Sequence, residues 1–404
     1  MSSSFRSKPI YQILIWLAVV ACIFGVYYLI SSYSSVILPA GDTVNYWAAG
    51  KLLLSGDNPY SGEDILELQA KIGKEQEFPG SPILMVLYPP WILPLTLPLG
   101  LFSFPVTRLI WLLFNIILIL ISVNYIWKLY GGSRNRRIIP YLVALIFAPT
   151  LFLLGYGQIS SILLLGIVFF LYFLQNDDVS RLNLFLAGAA ASLATIKPHV
   201  LYLFLLALLF WIIRNRSWLV LIGGASTILI LTLISIIFDP GVIGHYFEAI
   251  TSYRLGMWAT PTIGLYLRGI FGLENDWLQL LPAVVGLTWF IFHWKKQYKH
   301  WDWLEEIPLL LLICIVTSPY SWTYDMVILL IPVLAVFAAI KRRENNLTNY
   351  VIVGSFLILN LVNILSHKNF SEHWFVWYAP SLLIWYLLSI HFINQGSQKT
   401  VFVE

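Results

Sequence analysis

Residues 41–50 read Gly-Asp-Thr-Val-Asn-Tyr-Trp-Ala-Ala-Gly, a short polar stretch between apolar ones. It follows an uncharged run from Ile10 to Ile30, which is long enough for one membrane-spanning helix. Asp42 therefore lies where water meets lipid, next to aromatic side chains. In a chain that is otherwise mostly apolar, a carboxylate at that position indicates chemistry at the membrane face rather than passage through the membrane.

The composition places the chain among integral membrane proteins. Of its 404 residues, 59% are hydrophobic and only 11% are charged, whereas about a quarter of the residues in a soluble domain are charged. A mean hydropathy of +0.79 excludes a water-soluble fold. Cys22 and Cys314 both lie in apolar runs, so we interpret them as buried small hydrophobic residues rather than as a disulfide or a metal pair.

The apolar runs predict an all-α polytopic membrane protein, because lipid offers no hydrogen-bond partners to an irregular backbone. We interpret the first run as an uncleaved anchor, since it continues past Cys22, where a loose lipoprotein-type cleavage site would end it. Prolines at high density predict a broken or partly inserted element at 82–105. We therefore expect about 12 transmembrane helices in a single domain over residues 1–404. The further apolar runs cover residues 105–127, 138–154, 159–175, 182–197, 199–213, 217–238, 277–294, 304–317, 323–340, 349–365 and 374–394.

The charges of the connecting loops predict the orientation. Of the 24 Lys and Arg residues, 16 fall in alternate loops, which the positive-inside rule places in the cytoplasm with both termini. The other side receives a long first external loop, residues 31–82, and a second loop, residues 239–276. Within the first loop, residues 46–54 and 64–72 have helical spacing with mixed faces, which predicts interfacial helices.

The same external side collects polar and ionisable residues that interrupt the apolar runs. Ionisable groups at membrane depth are costly and tend to mark function, so their collection on one face indicates a single active cavity. These residues are Gln158, Lys197, His199, Arg254, Arg268 and the segment 318–325.

Six short motifs follow one another along nearly the whole chain. They are Asp42-x-x-x-Tyr46-x-Ala48-Ala49-Gly50, Gly56-x-Asn58-Pro59-Tyr60, Tyr88-Pro89-Pro90, Gly157-Gln158, Ile196-Lys197-Pro198 and Ser318-Pro319-x-x-Trp322. In type and order, this set of motifs resembles glycosyltransferase family 87 of bacteria. The resemblance implies the GT-C architecture and transfer of a hexose, with mannose as the first candidate, from a polyprenyl-phosphate donor to a lipid or glycan acceptor on the external face of the cell membrane.

Asp42 is similar in position to the family's first-loop catalytic aspartate, which implies a general base that takes the proton of the acceptor hydroxyl. Capping of the helix that follows is the alternative, and the two roles are compatible. Val44 stands where an Asp-x-Asp pair would have its second carboxylate, so a metal-bound nucleotide sugar would lack its usual ligands. We therefore expect neither a metal ion nor a soluble cofactor.

The donor phosphate needs cationic or hydrogen-bonding partners at the membrane surface. Lys197 is the first candidate, because Pro198 fixes its turn and the family motif matches there; a snorkelling side chain at a helix end is the alternative. Arg254 and Arg268 are further candidates, with an ordinary surface charge as the alternative, and His199 stands behind them.

Six residues are candidates for binding the sugar or the acceptor. Gln158 would bond a sugar hydroxyl or join two helices. Trp322 and Tyr324 would stack on the sugar ring or belong to the aromatic belt of the membrane interface. Asp325 would complement a helix dipole or supply a second carboxylate. The remaining two candidates are Tyr46 and Tyr88, the latter at the cavity mouth.

Other function classes stay open at this point. A transporter or flippase for a lipid-linked sugar would predict charges in the middle of spans and related halves, and neither is found in the sequence. A non-catalytic subunit of an envelope complex fits the composition but not the collection of ionisable groups. Another GT-C transferase, moving arabinose or glucose, is the nearest enzyme alternative. The expected partners are a polyprenyl-phosphate sugar, its acceptor and membrane lipids, with no nucleic acid.

Overall fold

The computed structural model describes residues 41–72, 85–175, 180–252, 258–340, 346–367 and 369–400. The predicted anchor helix and parts of the first external loop lie outside these residues. Every regular element in the described ranges is a helix, which confirms the all-α class for that part of the chain. The α-helices are α1 (Thr43–Ser55), α2 (Gly62–Lys71), α3 (Leu97–Gly100), α4 (Phe104–Leu129), α5 (Ile138–Ile146), α6 (Ala148–Tyr156), α7 (Ser160–Leu174), α8 (Arg181–Ala191), α9 (Tyr202–Asn215), α10 (Trp218–Phe238), α11 (Val242–Ser252), α12 (Ile263–Phe271), α13 (Leu281–Gln297), α14 (Trp303–Val316), α15 (Leu330–Ile340), α16 (Asn346–Ser366) and α17 (Tyr378–Thr400). Short 3₁₀ helices lie at Pro90–Leu95, Arg134–Arg136, Ser192–Ile196, Asp276–Leu280, Tyr298–His300, Thr323–Leu329 and Glu372–Trp377.

Six helical segments of the described residues are long and apolar enough to cross a membrane, or seven if the bent pair α5–α6 is one span. The predicted apolar runs from residue 105 onward coincide with helices to within a few residues, but the expected count of about 12 spans is not established by length and composition. Several of the remaining apolar helices, α7 and α9 among them, are shorter than a full span. The six segments are Phe104–Leu129, Trp218–Phe238, Asp276–His300, Thr323–Ile340, Leu347–Ser366 and Glu372–Gln395.

The proline-rich stretch is broken, as the sequence predicts. A 3₁₀ helix, Pro90–Leu95, contains Pro94, and the short α3 follows before α4 begins. Proline lacks the amide hydrogen and its ring crowds the preceding turn, so a continuous helix cannot form here. Pro105 is tolerated because it lies in the first turn of α4, where the amide would have no helical partner.

The two helices expected in the first external loop are present as α1 and α2. α1 packs inside the protein, with every residue from Thr43 to Gly50 buried. α2 lies against it and is joined to it by the side chain of Gln69, which donates to Asn45 Oδ1 at 3.2 Å. The position of α2 relative to the lipid stays a prediction.

The segment Thr323–Ile340 forms the centre of the bundle. Of its most apolar window, 94% of the residues are buried inside the protein, against 17% for α10, which therefore lies at the periphery. Asp325 stands in the first turn of this central segment. Cys314, in the neighbouring α14, is buried as predicted, and Cys22 lies outside the described residues.

A bend of 67° separates α5 from α6. Phe147 is extended at the break, and Pro149 in the first turn of α6 prevents the two helices from joining. The amide freed by the break, at Ala148, donates to Asn360 Oδ1 at 2.8 Å, so the bend has a buried hydrogen-bond partner.

Candidate active site

Five polar residues from the ends of separate helices lie in contact with one another. Asp42 precedes α1, Gln158 lies between α6 and α7, Ser160 begins α7, Lys197 follows the 3₁₀ helix Ser192–Ile196, and Asp325 begins the central segment. Helix ends, rather than helix middles, therefore supply the polar groups, and we call this cluster the candidate site.

An ion pair between Lys197 and Asp325 forms its buried centre. Lys197 Nζ lies 2.6 Å from Asp325 Oδ1, and the two side chains are 5% and 1% exposed. Ser160 Oγ donates to the same carboxylate oxygen at 2.5 Å and lies 3.2 Å from the ammonium. The second oxygen, Oδ2, accepts the amide hydrogen of Trp322 at 3.0 Å. Asp325 thus lies in the first turn of the central segment and brings a second carboxylate into the candidate site, while its role toward a sugar or an acceptor stays a prediction.

The charge state of Lys197 follows from this pairing. Burial alone lowers the pKa of the ammonium, but the adjacent Asp325 carboxylate outweighs burial and leaves the pKa raised. The ammonium also lies over the rings of Tyr88 and Tyr324, at 5.5 and 5.1 Å from their centroids. Lys197 is therefore a fixed positive charge at neutral pH and not a snorkelling side chain in solvent.

Gln158 joins Lys197 to Asp42. Its Nε2 donates to Asp42 Oδ2, and its Oε1 accepts from Lys197 Nζ at 3.1 Å. The same oxygen accepts from the hydroxyls of Tyr46 and Tyr88, each at 3.4 Å. Gln158 therefore links separate elements, which is one of its two interpretations. Its amide nitrogen faces the Asp42 carboxylate and its amide oxygen faces the Lys197 ammonium.

Asp42 occupies the N-cap position of α1, but its side chain makes no cap hydrogen bond. The carboxylate instead meets Gln158 and, at 3.5 Å, Asn45 Nδ2, while its own amide donates to the Tyr156 carbonyl at 2.8 Å. The structure therefore does not support capping by the side chain as the sole role of Asp42.

Two glycines allow Asp42 to approach the turn after α6. Gly41 and Gly157 have φ values of +49° and +64°, in the left-handed region that favours glycine. A Cβ on Gly41 would overlap the Tyr156 carbonyl, and a Cβ on Gly157 would overlap the Thr43 hydroxyl. Both positions therefore need glycine for the two backbones to meet.

Tyr46 and Tyr88 form the wall beside Gln158. Their rings stack at 6.0 Å and their hydroxyls lie 3.3 Å apart. Burial raises the pKa of Tyr46 well above its usual value, with Tyr88 and Asp42 adding to the rise. Burial also raises the pKa of Tyr88, against the opposing charge of Lys197. Both hydroxyls stay protonated at neutral pH and act as hydrogen-bond donors.

A row of aromatic rings borders the ion pair. Trp322 stacks on Tyr324 at 5.9 Å with 17° between the ring planes, and Trp322 Nε1 donates to the Tyr320 hydroxyl at 3.2 Å. Trp258 meets Trp322 edge-on at 6.2 Å. Parallel rings beside a polar cluster suit stacking on a sugar ring, and the belt interpretation is equally compatible with this geometry.

His199 and Arg268 have other surroundings. Burial lowers the pKa of His199 to about 4, so its imidazole is neutral at pH 7 and can donate or accept a hydrogen bond but adds no charge. The Arg268 guanidinium bonds the Leu273 carbonyl and pairs with Asp276 at 2.8 Å, which closes the end of α12. Arg254 lies outside the described residues.

Sequence reasoning missed Ser160, Tyr156, His367 and Glu372 as members or neighbours of the site. Ser160 had a signal, because it follows the Gly157-Gln158 motif by two residues. His367 and Glu372 had none, since only the fold brings α16 and the start of the last span against the 3₁₀ helix Thr323–Leu329. Within the described residues, no group of three or more His, Cys, Asp or Glu side chains is placed to hold a metal ion.

Residues 86–365 match the family model described as glycosyltransferase family 87. The chain belongs to glycosyltransferase family 87. The match covers well over half of the chain, and together with the apolar helices it makes this family 87 member a membrane glycosyltransferase, as the motifs predict. It includes Gln158, Lys197 and Asp325, while Asp42 precedes it and Glu372 follows it. No curated protein and no solved structure matches the chain.

Proposed function

We propose that this family 87 enzyme transfers a hexose, with mannose as the first donor sugar to test, from a polyprenyl phosphate to a hydroxyl of a lipid or glycan acceptor. The reaction would take place at the external face of the cell membrane. The observation that carries the proposal is the placement of a carboxylate and an ammonium, those of Asp42 and Lys197, on the two sides of the Gln158 amide.

The reaction needs a base for the acceptor. Asp42 takes the proton of the acceptor hydroxyl as its oxygen attacks the anomeric carbon, and the bond from that carbon to the phosphate oxygen breaks. The bonding electrons stay on the phosphate, which leaves as polyprenyl phosphate, and attack from the opposite face inverts the anomeric centre. Gln158 supports this role because its amide hydrogen orients one oxygen of the Asp42 carboxylate, while Asn45 Nδ2 lies 3.5 Å from the other oxygen.

The leaving phosphate needs positive charge and donors. Lys197 supplies a permanent charge, and the Tyr88 ring and the Ser160 hydroxyl lie beside its ammonium. Because Lys197 is already paired with Asp325, the phosphate has to share the ammonium with that carboxylate. Arg254 and Arg268 remain proposed as further cations for the phosphate, with His199 as a neutral donor.

The sugar and acceptor subsites follow from the same surfaces. The stacked rings of Trp322 and Tyr324 are proposed to cover one face of the sugar. The hydroxyls of Tyr46 and Tyr88 are proposed to bond sugar or acceptor oxygens. No metal ion and no soluble cofactor are part of the proposal.

The test is sugar transfer by the purified full chain in lipid nanodiscs. Radiolabelled polyprenyl-phosphate mannose, glucose and arabinose are compared with GDP-mannose, each with a panel of lipid and glycan acceptors. We expect product from a polyprenyl-phosphate donor and none from the nucleotide sugar. Product from GDP-mannose alone would overturn the donor class. Movement of the intact lipid-linked sugar across the bilayer without a new glycosidic bond would favour a flippase.

A further inference from the structure

A largely buried carboxylate reaches the candidate site from beyond the family match. Glu372 begins the 3₁₀ helix Glu372–Trp377, and its Oε1 accepts the amide hydrogen of Thr323 at 2.8 Å. Thr323 is the first residue of the 3₁₀ helix that carries Asp325, and its amide has no partner within that helix. Glu372 therefore fixes the start of the element that presents Asp325 to Lys197.

The other oxygen of Glu372 continues the network. Oε2 lies 3.3 Å from Nε2 of His367, which in turn lies 3.4 Å from the hydroxyl of Tyr156. The imidazole is held by ring contacts with Phe152 at 3.9 Å and Phe375 at 4.8 Å. Burial lowers the pKa of His367, so the ring is neutral at pH 7 and it meets Glu372 as a polar contact rather than as an ion pair.

Tyr156 closes the path to the other carboxylate. Its carbonyl accepts the amide hydrogen of Asp42 at 2.8 Å, and its ring contacts that of Tyr324 at 5.9 Å. A continuous set of contacts thus runs from Thr323 through Glu372, His367 and Tyr156 to the backbone of Asp42. This path shares no contact with the one that joins Asp325 to Asp42 through Lys197 and Gln158.

We propose that Glu372 and His367 are positioning residues that hold the Asp42 and Asp325 segments at a fixed separation. The catalytic consequence rests on the proposed function, whereas the mechanical coupling does not. Two segments that carry reacting groups have to keep their separation to within a fraction of an ångström, because a displacement of about 1 Å can lower a rate roughly a hundredfold.

A matched His–Glu pair at the other end of the bundle provides the control. His293 Nε2 lies 2.6 Å from Glu306 Oε2, with the side chains 17% and 12% exposed, against 15% and 14% for His367 and Glu372. Glu306 stands in the first turn of α14, whose last turn is the one that leads to the candidate site. The two pairs are similarly buried and the control contact is the shorter one, but only the pair of His367 and Glu372 touches the candidate site.

The first test is hydrogen–deuterium exchange of the full chain in nanodiscs, read in peptides that cover residues 41–50 and 318–326. In Glu372→Ala we expect exchange to rise about tenfold in both peptides, because the Thr323 amide loses its acceptor and the Tyr156 side chain loses its support. Glu372→Gln keeps an acceptor for Thr323 and restores most of the protection at 318–326. Glu306→Ala changes neither peptide. Unchanged exchange at 41–50 in Glu372→Ala would overturn the coupling.

The second test uses transfer kinetics with Tyr156→Phe, which keeps the ring packing and the carbonyl bond to Asp42 and therefore folds. We expect kcat to fall about tenfold in Glu372→Ala and several-fold in Tyr156→Phe, with the donor KM within about threefold of wild type. Equal kcat in wild type and both variants would overturn the positioning role. A third outcome separates the two proposals. If the wild type transfers no sugar but Glu372→Ala still raises exchange at residues 41–50, the proposed function is contradicted and the coupling stands.

Discussion

The ammonium of Lys197 lies 2.6 Å from Oδ1 of Asp325, although 128 residues separate the two in the chain. Both side chains are almost wholly buried, so neither charge has water to solvate it. Their attraction offsets the loss of hydration only while both are present. The pair therefore ties the turn after the 3₁₀ helix Ser192–Ile196 to the most buried span of the bundle.

Removal of one partner is expected to destabilise the protein strongly. Lys197→Met leaves the Asp325 carboxylate buried without its counter-charge, at a cost of about 3–5 kcal/mol. The double variant Lys197→Met/Asp325→Leu recovers most of that loss but stays inactive. Denaturant unfolding in detergent measures the stability of the single and the double variant.

The matched control is Lys71→Met, which breaks an exposed Lys–Glu pair of the same 2.6 Å length and changes stability by less than about 1 kcal/mol. Equal effects of Lys197→Met and Lys71→Met would contradict a buried, dry pair.

Gln158 is expected to matter for rate more than for folding. Gln158→Leu removes the donor to Asp42 and the acceptor for Lys197 together, and we expect kcat to fall about tenfold to a hundredfold. Gln158→Glu sets a carboxylate against that of Asp42 and lowers kcat further. The control is Gln175→Leu, at the exposed end of α7. Wild-type kcat in Gln158→Leu would show that the amide does not orient Asp42.

Two neighbouring glycines give a sharp test of the turn after α6. Gly157→Ala places a methyl group against the Thr43 hydroxyl and strains a left-handed residue, so we expect loss of activity and a lower Tm. Gly155→Ala is the control, because a Cβ there meets open space. A Gly157→Ala protein with the Tm and kcat of Gly155→Ala would contradict the close packing of Asp42 on this turn.

Much of this arrangement could be predicted from the sequence. The helices coincide with uninterrupted apolar runs, and Asp42, Gln158 and Lys197 were singled out because they interrupt such runs. What could not be predicted is which charges pair, because the contact of Lys197 with Asp325 depends on how distant spans pack. Arg268 shows that even a local ion pair is not evident from the sequence. Its partner, Asp276, lies only eight residues further along the chain, but a count of loop charges does not reveal the pairing.

The number of spans shows a second limit of sequence reasoning. Hydropathy finds the apolar runs and shows that several, including those of α7 and α9, are shorter than a full span, but it does not reveal that α5 and α6 meet at a 67° bend. His367 and Glu372 had no motif at all, because each acts through a contact that only the folded chain creates.

The titration of His199 predicts a pH dependence of stability. Its folded pKa of about 4 lies below the usual value, so the unfolded chain binds the proton first as pH falls below about 6.5. Folded stability is therefore lost between about pH 6.5 and pH 4.

His199→Gln removes this contribution, and its Tm should fall less than that of wild type from pH 7 to pH 5. His391→Gln, at an exposed histidine of α17, is the control. Parallel Tm curves for wild type and His199→Gln would contradict a half-buried His199 that is neutral at pH 7.

The central claim is that Asp42 is the base of the transfer, and one comparison tests it most directly. Transfer from a polyprenyl-phosphate sugar is measured for wild type, Asp42→Asn and Asp57→Asn, the last at an exposed carboxylate just beyond the end of α1. We expect Asp42→Asn to lower kcat by about 10²–10⁴ with donor binding retained, since asparagine keeps the shape and cannot take the proton. Asp57→Asn stays at the wild-type rate. An Asp42→Asn protein that transfers sugar as fast as Asp57→Asn would contradict the account.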